Sequence, residues 1–131
     1  MCLKDNLILI ETNFSSMPLN FYDIIFKLQI NGYLPILAHP ERYDYLQNNK
    51  KLYFELKNRG CKFQLNLLSV TGYYGKKCVE GCDFLIKNDM IDYVGSDIHN
   101  ISHIRIFENS TVIKEHNKLN DIINKNFYFK N

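Results

Sequence analysis

Four residues that could bind a metal ion each follow a short apolar run: Glu11, His39, Asp97 and His99. Carboxylate oxygens and neutral imidazole nitrogens are ligands of divalent manganese, iron and zinc, and one carboxylate can bridge two ions. Asp97 and His99 are separated by one residue, so their side chains point the same way on an extended segment. These residue types predict a divalent metal site, although each residue alone could instead cap a helix or bind backbone groups.

Arginine is scarce, and two of the three arginines lie close to the predicted metal ligands. Arg42 comes three residues after His39, and Arg105 comes six residues after His99. A guanidinium group binds two phosphate oxygens as a fork and stays charged at any relevant pH. The spacing favours an anionic substrate, most simply a phosphate, over the alternative that both arginines are ordinary surface residues. The third, Arg59, is expected to serve the end of a helix.

The elements that must position these residues alternate between short apolar runs and longer helical periods. The apolar runs predict strands over residues 6–14, 33–38, 61–69 and 91–95. The helical periods predict helices over residues 20–31, 43–59, 76–88, 101–116 and 118–126. This order predicts an α/β fold of four parallel strand–helix units plus a C-terminal helix, either a βα barrel or an open sheet. Functional residues of such folds collect at the carboxyl ends of the strands, where Glu11, His39 and Asp97 lie.

Length and composition fit one globular domain over residues 1–131. A formal charge of +2, spread evenly along the chain, is too weak to predict nucleic-acid binding. The longest apolar windows are shorter than the roughly 20 residues of a membrane span, and no export signal precedes Glu11, so we expect a cytoplasmic protein. The cysteines, Cys2, Cys61, Cys78 and Cys82, are expected to be thiols rather than a zinc site.

Several short motifs occur together in one order along the chain. They are Leu9-Ile10-Glu11, the string AHPERY over residues 38–43, Gln64-Leu65-Asn66 followed by Ser69-x-x-Gly72-x-Tyr74-Gly75, and GSDIHN over residues 95–100. Each motif alone is a weak signal, but the combination of AHPERY with SDxHN is specific. From about residue 7 to residue 105 the sequence resembles the CpsB/CapC (YwqE-type) tyrosine-protein phosphatases of the PHP superfamily.

The resemblance implies a distorted βα barrel with a multinuclear metal site, commonly occupied by manganese. It implies an enzyme that removes phosphate from tyrosine on proteins that regulate capsule or exopolysaccharide export, such as a capsule-regulating tyrosine kinase. The implied roles are Glu11 as a bridging carboxylate, His39 as a ligand, Asp97 and His99 as the final ligand pair, Arg42 as the phosphate-binding residue and Arg105 as a second one.

The chain departs from the family pattern before Glu11, where the family has an Asp-x-His-x-His strand and further ligands. We therefore expect residues 1–131 to be a PHP-like domain that lacks the amino-terminal part of the barrel and about half of the ligands. The apolar run from Leu7 to Ile10 would then form an exposed strand edge, which favours self-association or pairing with a complementing amino-terminal fragment.

Three functions stay open on the sequence alone. The first is a metal-dependent phosphotyrosine hydrolase that is active when the missing part is supplied. The second is an inactive remnant or phosphotyrosine-binding module that keeps Arg42 and Arg105. The third is a related metal hydrolase that acts on another phosphoester or on an amide.

Overall fold

The fold is built on one parallel β-sheet. The computed structural model describes residues 4–96 and 117–125. In this part of the chain the sheet has four strands in the order β1-β2-β3-β4, and every neighbouring pair is parallel. The strands are β1 (Leu7–Ile10), β2 (Leu34–Ala38), β3 (Lys62–Asn66) and β4 (Tyr93–Gly95).

Helices connect the strands, as the sequence pattern predicts for parallel strand–helix units. They are α1 (Phe21–Ile30), α2 (Asp44–Asn48), α3 (Lys51–Asn58), α4 (Leu67–Val70), α5 (Lys76–Lys87) and α6 (Asn117–Lys125), with 3-10 turns at Lys4–Asn6 and Pro40–Arg42. None of these described helices has the length and hydropathy that a membrane span requires. The predicted helix over residues 101–116 lies outside the described residues.

The strand register brings the carboxyl ends of the four strands to one edge of the sheet. Leu37 is the partner of Ile10 in β1 and of Phe63 in β3, and Asn66 at the end of β3 is the partner of Gly95. Because parallel neighbours keep the same direction, the segments that follow each strand leave the sheet at this edge. We call it the carboxyl edge, and we call the opposite side, where the strands begin, the amino edge.

The core lies between the sheet and the helices, where aromatic side chains fill much of the space. Tyr43, Tyr53, Phe63 and Leu119 have no measurable solvent exposure. Tyr53 packs edge-on against Phe63, with ring centroids 6.0 Å apart. Full burial of side chains of this size supplies the main favourable free energy of folding, about 1.5–3 kcal/mol each. Leu119 shows that α6 also contributes to this core.

Three predicted elements differ from the structure. The strand predicted over residues 6–14 ends at Ile10, and Thr12 N donates a hydrogen bond to the hydroxyl of Tyr43 instead of to a neighbouring strand. The helix predicted over residues 43–59 is divided into α2 and α3, because Asn49 has an extended backbone with φ −138° and ψ 84°. The strand predicted over residues 61–69 ends at Asn66, whose side-chain oxygen accepts a hydrogen bond from Leu68 N at 3.0 Å and caps α4. Apolar residues on both sides of Asn66 hid this cap in the sequence pattern.

Candidate functional site

Glu11 and His39 lie side by side at the carboxyl edge, as the sequence predicts for residues that follow β1 and β2. The distance between Glu11 Oε1 and His39 Nε2 is 3.7 Å. The side chain of His39 is 8% exposed, whereas that of Glu11 is 65% exposed. Both face a pocket of about 160 Å³ that is lined by Leu9, Glu11, Ala38, His39, Gln64, Leu65, Asn66 and Gly95. All four strands therefore contribute to this pocket.

His39 has an unusual backbone conformation. Its φ of 37° and ψ of 59° lie in the left-handed region, which costs a non-glycine residue roughly 1–2 kcal/mol. Hydrogen bonds hold it there: His39 N donates to Gln64 O at 2.8 Å, and His39 O accepts from Arg42 N at 3.0 Å. Strain of this kind is common where a fold must aim a functional side chain.

The 3-10 turn that follows His39 is anchored by Glu41, which is completely buried. Glu41 Oε1 accepts hydrogen bonds from Asn66 N at 3.1 Å and from Ser69 Oγ at 2.7 Å. Glu41 Oε2 is also buried and has no hydrogen-bond partner among the described residues. Burial raises the pKa of Glu41 to about 7, although the hydrogen bonds to Ser69 and Asn66 act in the opposite direction.

Two further side chains hold the backbone of this turn. Tyr53 Oη donates a hydrogen bond to Pro40 O at 3.0 Å, and the side-chain amide of Gln47 donates to Glu41 O. Helix α5 passes so close that a Cβ atom on Gly81 would lie 3.2 Å from Glu41 O. The turn is therefore enclosed by β3, α3 and α5.

Arg42 is half-buried at the end of this turn and stacks on two aromatic rings. Its guanidinium carbon lies 3.9 Å from the ring centroid of Tyr74 and 4.8 Å from that of Phe14. Aromatic faces attract a guanidinium group and restrict its orientation. Arg42 borders a depression of about 300 Å³ that is lined by Phe14, Arg42, Asp44, Gln47, Tyr74, Lys77 and Cys78.

Phe14 connects the two sides of the site, because it contacts the imidazole of His39 as well as the guanidinium of Arg42. The ring centroids of Phe14 and His39 are 5.3 Å apart. The loop that carries Phe14 is fixed by hydrogen bonds, since Phe14 O accepts from Asp44 N at 2.8 Å and the hydroxyls of Thr12 and Tyr45 lie 2.6 Å apart. His39 and Arg42 are thus neighbours across one aromatic ring.

The remaining predicted site residues, Asp97, His99 and Arg105, lie outside the described residues. Gly95, two residues before Asp97, lines the same pocket as Glu11 and His39. Within residues 4–96 and 117–125, no group of three or more His, Cys, Asp or Glu side chains could hold a metal ion. The donors that are described, one carboxylate and one imidazole at the mouth of a pocket, have the chemistry that a divalent cation requires.

The sequence reasoning missed three contributors to this site. The sequence pattern assigns no role to Phe14 or Tyr74, and Glu41 occurs there only within the motif AHPERY. Tyr74 and Ser69 did belong to the quoted motif over residues 69–75, so their spacing was a usable signal. The three described cysteines are free thiols, with Cys61 and Cys82 buried and Cys78 half-buried. Burial raises the pKa of Cys61 to about 12, which disfavours the nucleophilic thiolate form.

Comparisons with known proteins agree with this architecture. The family model for capsular polysaccharide synthesis, CpsB/CapC, matches residues 2–130. The chain is 34% identical over 94 residues to the tyrosine-protein phosphatase YwqE of Bacillus subtilis, an alignment that covers 72% of this chain and 37% of YwqE. It is 36% identical over 75 residues to the tyrosine-protein phosphatase CpsB of Streptococcus pneumoniae, covering 53% of this chain and 31% of CpsB.

A solved structure from the crystallographic work on YwqE and CpsB, described there as unique metal-dependent tyrosine phosphatases, superposes with a TM-score of 0.73 and 26% identity. The superposition covers 89% of this chain and 49% of that chain, which confirms the predicted α/β fold class. The chain spans less than half the length of each of these relatives. Because the family model spans nearly every residue, this chain belongs to the CpsB/CapC family of capsular polysaccharide synthesis proteins.

Proposed function

We propose that this chain carries part of the active site of a metal-dependent phosphatase that hydrolyses phosphotyrosine on proteins. The observation that carries the proposal is a series of contacts at the carboxyl edge, in which Glu11 lies beside His39 and Phe14 packs against both His39 and Arg42. This places groups suited to a divalent cation beside a group suited to a phosphate. The names of the relatives YwqE and CpsB, both tyrosine-protein phosphatases, support the reaction type.

Glu11 and His39 are proposed to hold the metal, together with Asp97 and His99 from the segment after β4. Manganese is the proposed ion, and the mixed oxygen and nitrogen donor set is compatible with it. A bound divalent cation would supply positive charge beside the phosphoryl oxygens and would make the attacking water more acidic. The strained backbone of His39 would keep its Nε2 atom directed at the position of the ion.

Arg42 is proposed to bind two oxygens of the substrate phosphate. Water attacks phosphorus, the bond from phosphorus to the tyrosine oxygen breaks, and phosphate and tyrosine leave. Because Tyr74 and Phe14 restrict its guanidinium, Arg42 stabilises the charge that develops in the transition state without first reorganising. Phe14 is 40% exposed beside Arg42 and is the proposed contact for the ring of the substrate tyrosine. Arg105 is the proposed second phosphate-binding residue.

The physiological substrate is proposed to be a phosphotyrosine protein of capsule export, such as a tyrosine kinase, and the site of action is proposed to be the cytoplasm. We propose further that residues 1–131 form a single PHP-like domain and that an amino-terminal segment supplies the remaining ligands. Strand β1 supports this, because it lies at the edge of the sheet with only β2 as its described neighbour. A strand that pairs with β1 in parallel, as the described strands pair with one another, would bring its own carboxyl end to the same pocket.

The test is phosphate release from a phosphotyrosine peptide by the full chain with manganese, alone and with the amino-terminal part of YwqE added. We expect release that chelation with EDTA abolishes and that His39→Ala reduces to background. His116→Ala is the matched control and should retain activity, because His116 belongs to the helix that the sequence predicts over residues 101–116 and not to the end of a predicted strand. Release that survives both EDTA and His39→Ala would overturn the proposal.

The same assay separates the alternatives. Binding of the phosphotyrosine peptide without turnover, with or without the added segment, would favour a phosphotyrosine-binding module. Turnover of other phosphoesters in a substrate panel, with none for phosphotyrosine, would favour a related hydrolase.

A further inference from the structure

Glu41 is a fully buried carboxyl group that the proposed chemistry does not use. It lies between His39 and Arg42 in the 3-10 turn Pro40–Arg42, and its side chain points into the protein. Before it in the sequence, the imidazole of His39 faces the pocket, and after it the guanidinium of Arg42 stacks on Tyr74. One inward side chain therefore stands between two outward ones in a short turn.

We propose that Glu41 is a positioning residue, which fixes the orientation of Arg42 and His39 by holding the turn against the end of β3. This inference rests on the proposed function, because it assigns Glu41 to the same phosphate and metal site. Glu41 has no direct contact with substrate in this account and acts only through its neighbours.

The hydrogen-bond partners of Glu41 are well suited to such a role. Asn66 N lies at the end of β3, and Ser69 Oγ lies in the first turn of helix that follows. Asn66 also caps that helix through its own side chain, so both donors belong to one rigid unit. The carboxylate therefore joins the segment after β2 to the segment after β3 at the carboxyl edge.

The packing around Glu41 limits the movement of the turn. A Cβ atom at position 81 would lie 3.2 Å from Glu41 O and 3.3 Å from Glu41 Cβ, so a side chain there would crowd the turn. Arg42 N donates to His39 O across the turn. A displacement of Glu41 would consequently move both functional residues.

Stability alone does not explain a carboxyl group at this position. Burying an ionisable group is unfavourable unless its atoms are well paired, and a well-packed apolar residue is often at least as stable. Glu41 Oε2 lacks a hydrogen-bond partner among the described residues, so this part of the chain pairs only one of the two carboxyl oxygens. A positioning role accounts for why an acceptor is nevertheless placed here.

The experiment compares Glu41→Leu, Glu41→Gln and Ser69→Ala in the full chain. Leucine removes the acceptor, glutamine keeps one carbonyl oxygen for Asn66 N and Ser69 Oγ, and Ser69→Ala removes one donor. Glu80→Gln is the matched control, because it makes the same chemical change at an α5 residue whose side chain is 63% exposed. Circular dichroism establishes which variants fold.

The first measurement is the NMR shift of the Arg42 side-chain Nε–H proton, which we expect the ring currents of Tyr74 and Phe14 to displace in the parent. Arg59 is an internal reference in the same spectrum, because its guanidinium carbon also lies 3.9 Å from a tyrosine ring centroid, that of Tyr22. Neither Arg59 nor Tyr22 belongs to the turn Pro40–Arg42. The second measurement is the dissociation constant for a phosphotyrosine peptide.

We expect Glu41→Leu to move the Arg42 signal towards that of an exposed arginine and to weaken peptide binding about tenfold, about 1.4 kcal/mol. Glu41→Gln should restore most of the binding, Ser69→Ala should be intermediate, and the Arg59 signal should not move. Should Glu41→Leu fail to fold, Ser69→Ala decides the question. Folded variants whose Arg42 signal and peptide affinity both equal those of the parent would overturn the inference.

The NMR measurement needs no substrate, so it separates this inference from the proposed function. If the parent neither binds nor hydrolyses phosphotyrosine, the proposed function fails. A displaced Arg42 signal in Ser69→Ala or Glu41→Leu would still establish the positioning of Arg42 by Glu41.

Discussion

The amino and carboxyl edges of the sheet both carry charged side chains and a stacked arginine, but they arrange them differently. At the amino edge, Asp92 pairs with Lys57, lies 3.7 Å from Lys62 Nζ and accepts a hydrogen bond from Phe63 N at 2.9 Å. At the carboxyl edge, Glu11 and His39 face an open pocket instead.

The two stacked arginines show the same contrast. Arg59 and Arg42 each lie 3.9 Å from the centroid of a tyrosine ring. The hydroxyl of Tyr22, whose ring lies under Arg59, donates a hydrogen bond to Glu55 Oε2 at 2.5 Å. Burial together with this carboxylate raises the pKa of Tyr22 to about 12. Arg42 instead borders a depression. At the amino edge, side chains of opposite charge pair with one another and connect helices to strands. At the carboxyl edge, the side chains of Glu11, His39 and Arg42 line or border pockets.

Replacing each arginine by lysine should give the largest difference in activity between the two edges. Arg42→Lys keeps the charge but loses the two-pronged fork and the planar stacking, so we expect phosphotyrosine hydrolysis to fall on the order of 100-fold. Arg59→Lys makes the same change on the other stacked arginine and should leave turnover within about twofold, since Arg59 lies at the end of α3 away from the pocket. Steady-state kinetics of both variants is the measurement, and equal losses would contradict the division between the edges.

Asp92→Ala should lower the stability of the protein without changing its affinity for the peptide. It leaves Phe63 N without its side-chain acceptor and Lys57 without its partner, so we expect a loss of about 1–2 kcal/mol in the free energy of unfolding. Urea denaturation followed by circular dichroism measures this loss. Peptide affinity of the folded protein should not change, and a change would show that the amino edge belongs to the site.

Gly81→Ala should weaken phosphotyrosine binding while leaving the stability of the protein almost unchanged. Replacing glycine by alanine inside a helix gains about 0.5–1 kcal/mol, but the new methyl group crowds Glu41 O by an amount that offsets this gain. We expect little net change in the thermal midpoint and a severalfold weaker phosphotyrosine affinity. Glu80→Ala, at the exposed neighbouring position in α5, should leave the affinity unaltered. A stabilised variant with full affinity would show that the turn tolerates displacement.

The smallest expected effect concerns the cysteines. Cys78 borders the depression beside Arg42 and is half-buried, whereas Cys61 at the amino edge is buried with a pKa of about 12. Iodoacetamide should therefore label Cys78 before Cys61, and a phosphotyrosine peptide should slow labelling of Cys78 a fewfold. Peptide mass spectrometry distinguishes the sites. Faster labelling of Cys61 would contradict the described burial.

The sequence predicted the parallel strand–helix order and the neighbouring positions of Glu11 and His39, because both follow from short-range patterns and the direction of parallel strands. It did not predict how Arg42 is held, since Phe14 and Tyr74 come from segments 28 and 32 residues away from it. Contacts of this range depend on the packing of loops, which leaves no periodic signal.

The break between α2 and α3 and the early end of β3 were missed for a related reason. Asn49 and Asn66 change the backbone direction through local conformation and capping, while the apolar residues around them continue the pattern of a single element. The sequence also does not predict the burial of Glu41, because a glutamate between proline and arginine is typical of an exposed turn.

We propose that Glu11 and His39 together bind a divalent cation at the carboxyl edge, and the other predictions for this edge depend on that binding. Its most direct test is a crystal structure of the full chain grown with manganese and measured at the manganese absorption edge. We expect an anomalous peak within coordination distance of both Glu11 and His39, and we expect this peak to disappear in His39→Ala. Saturating manganese without a peak between these two side chains, or a peak only elsewhere on the molecule, would contradict it.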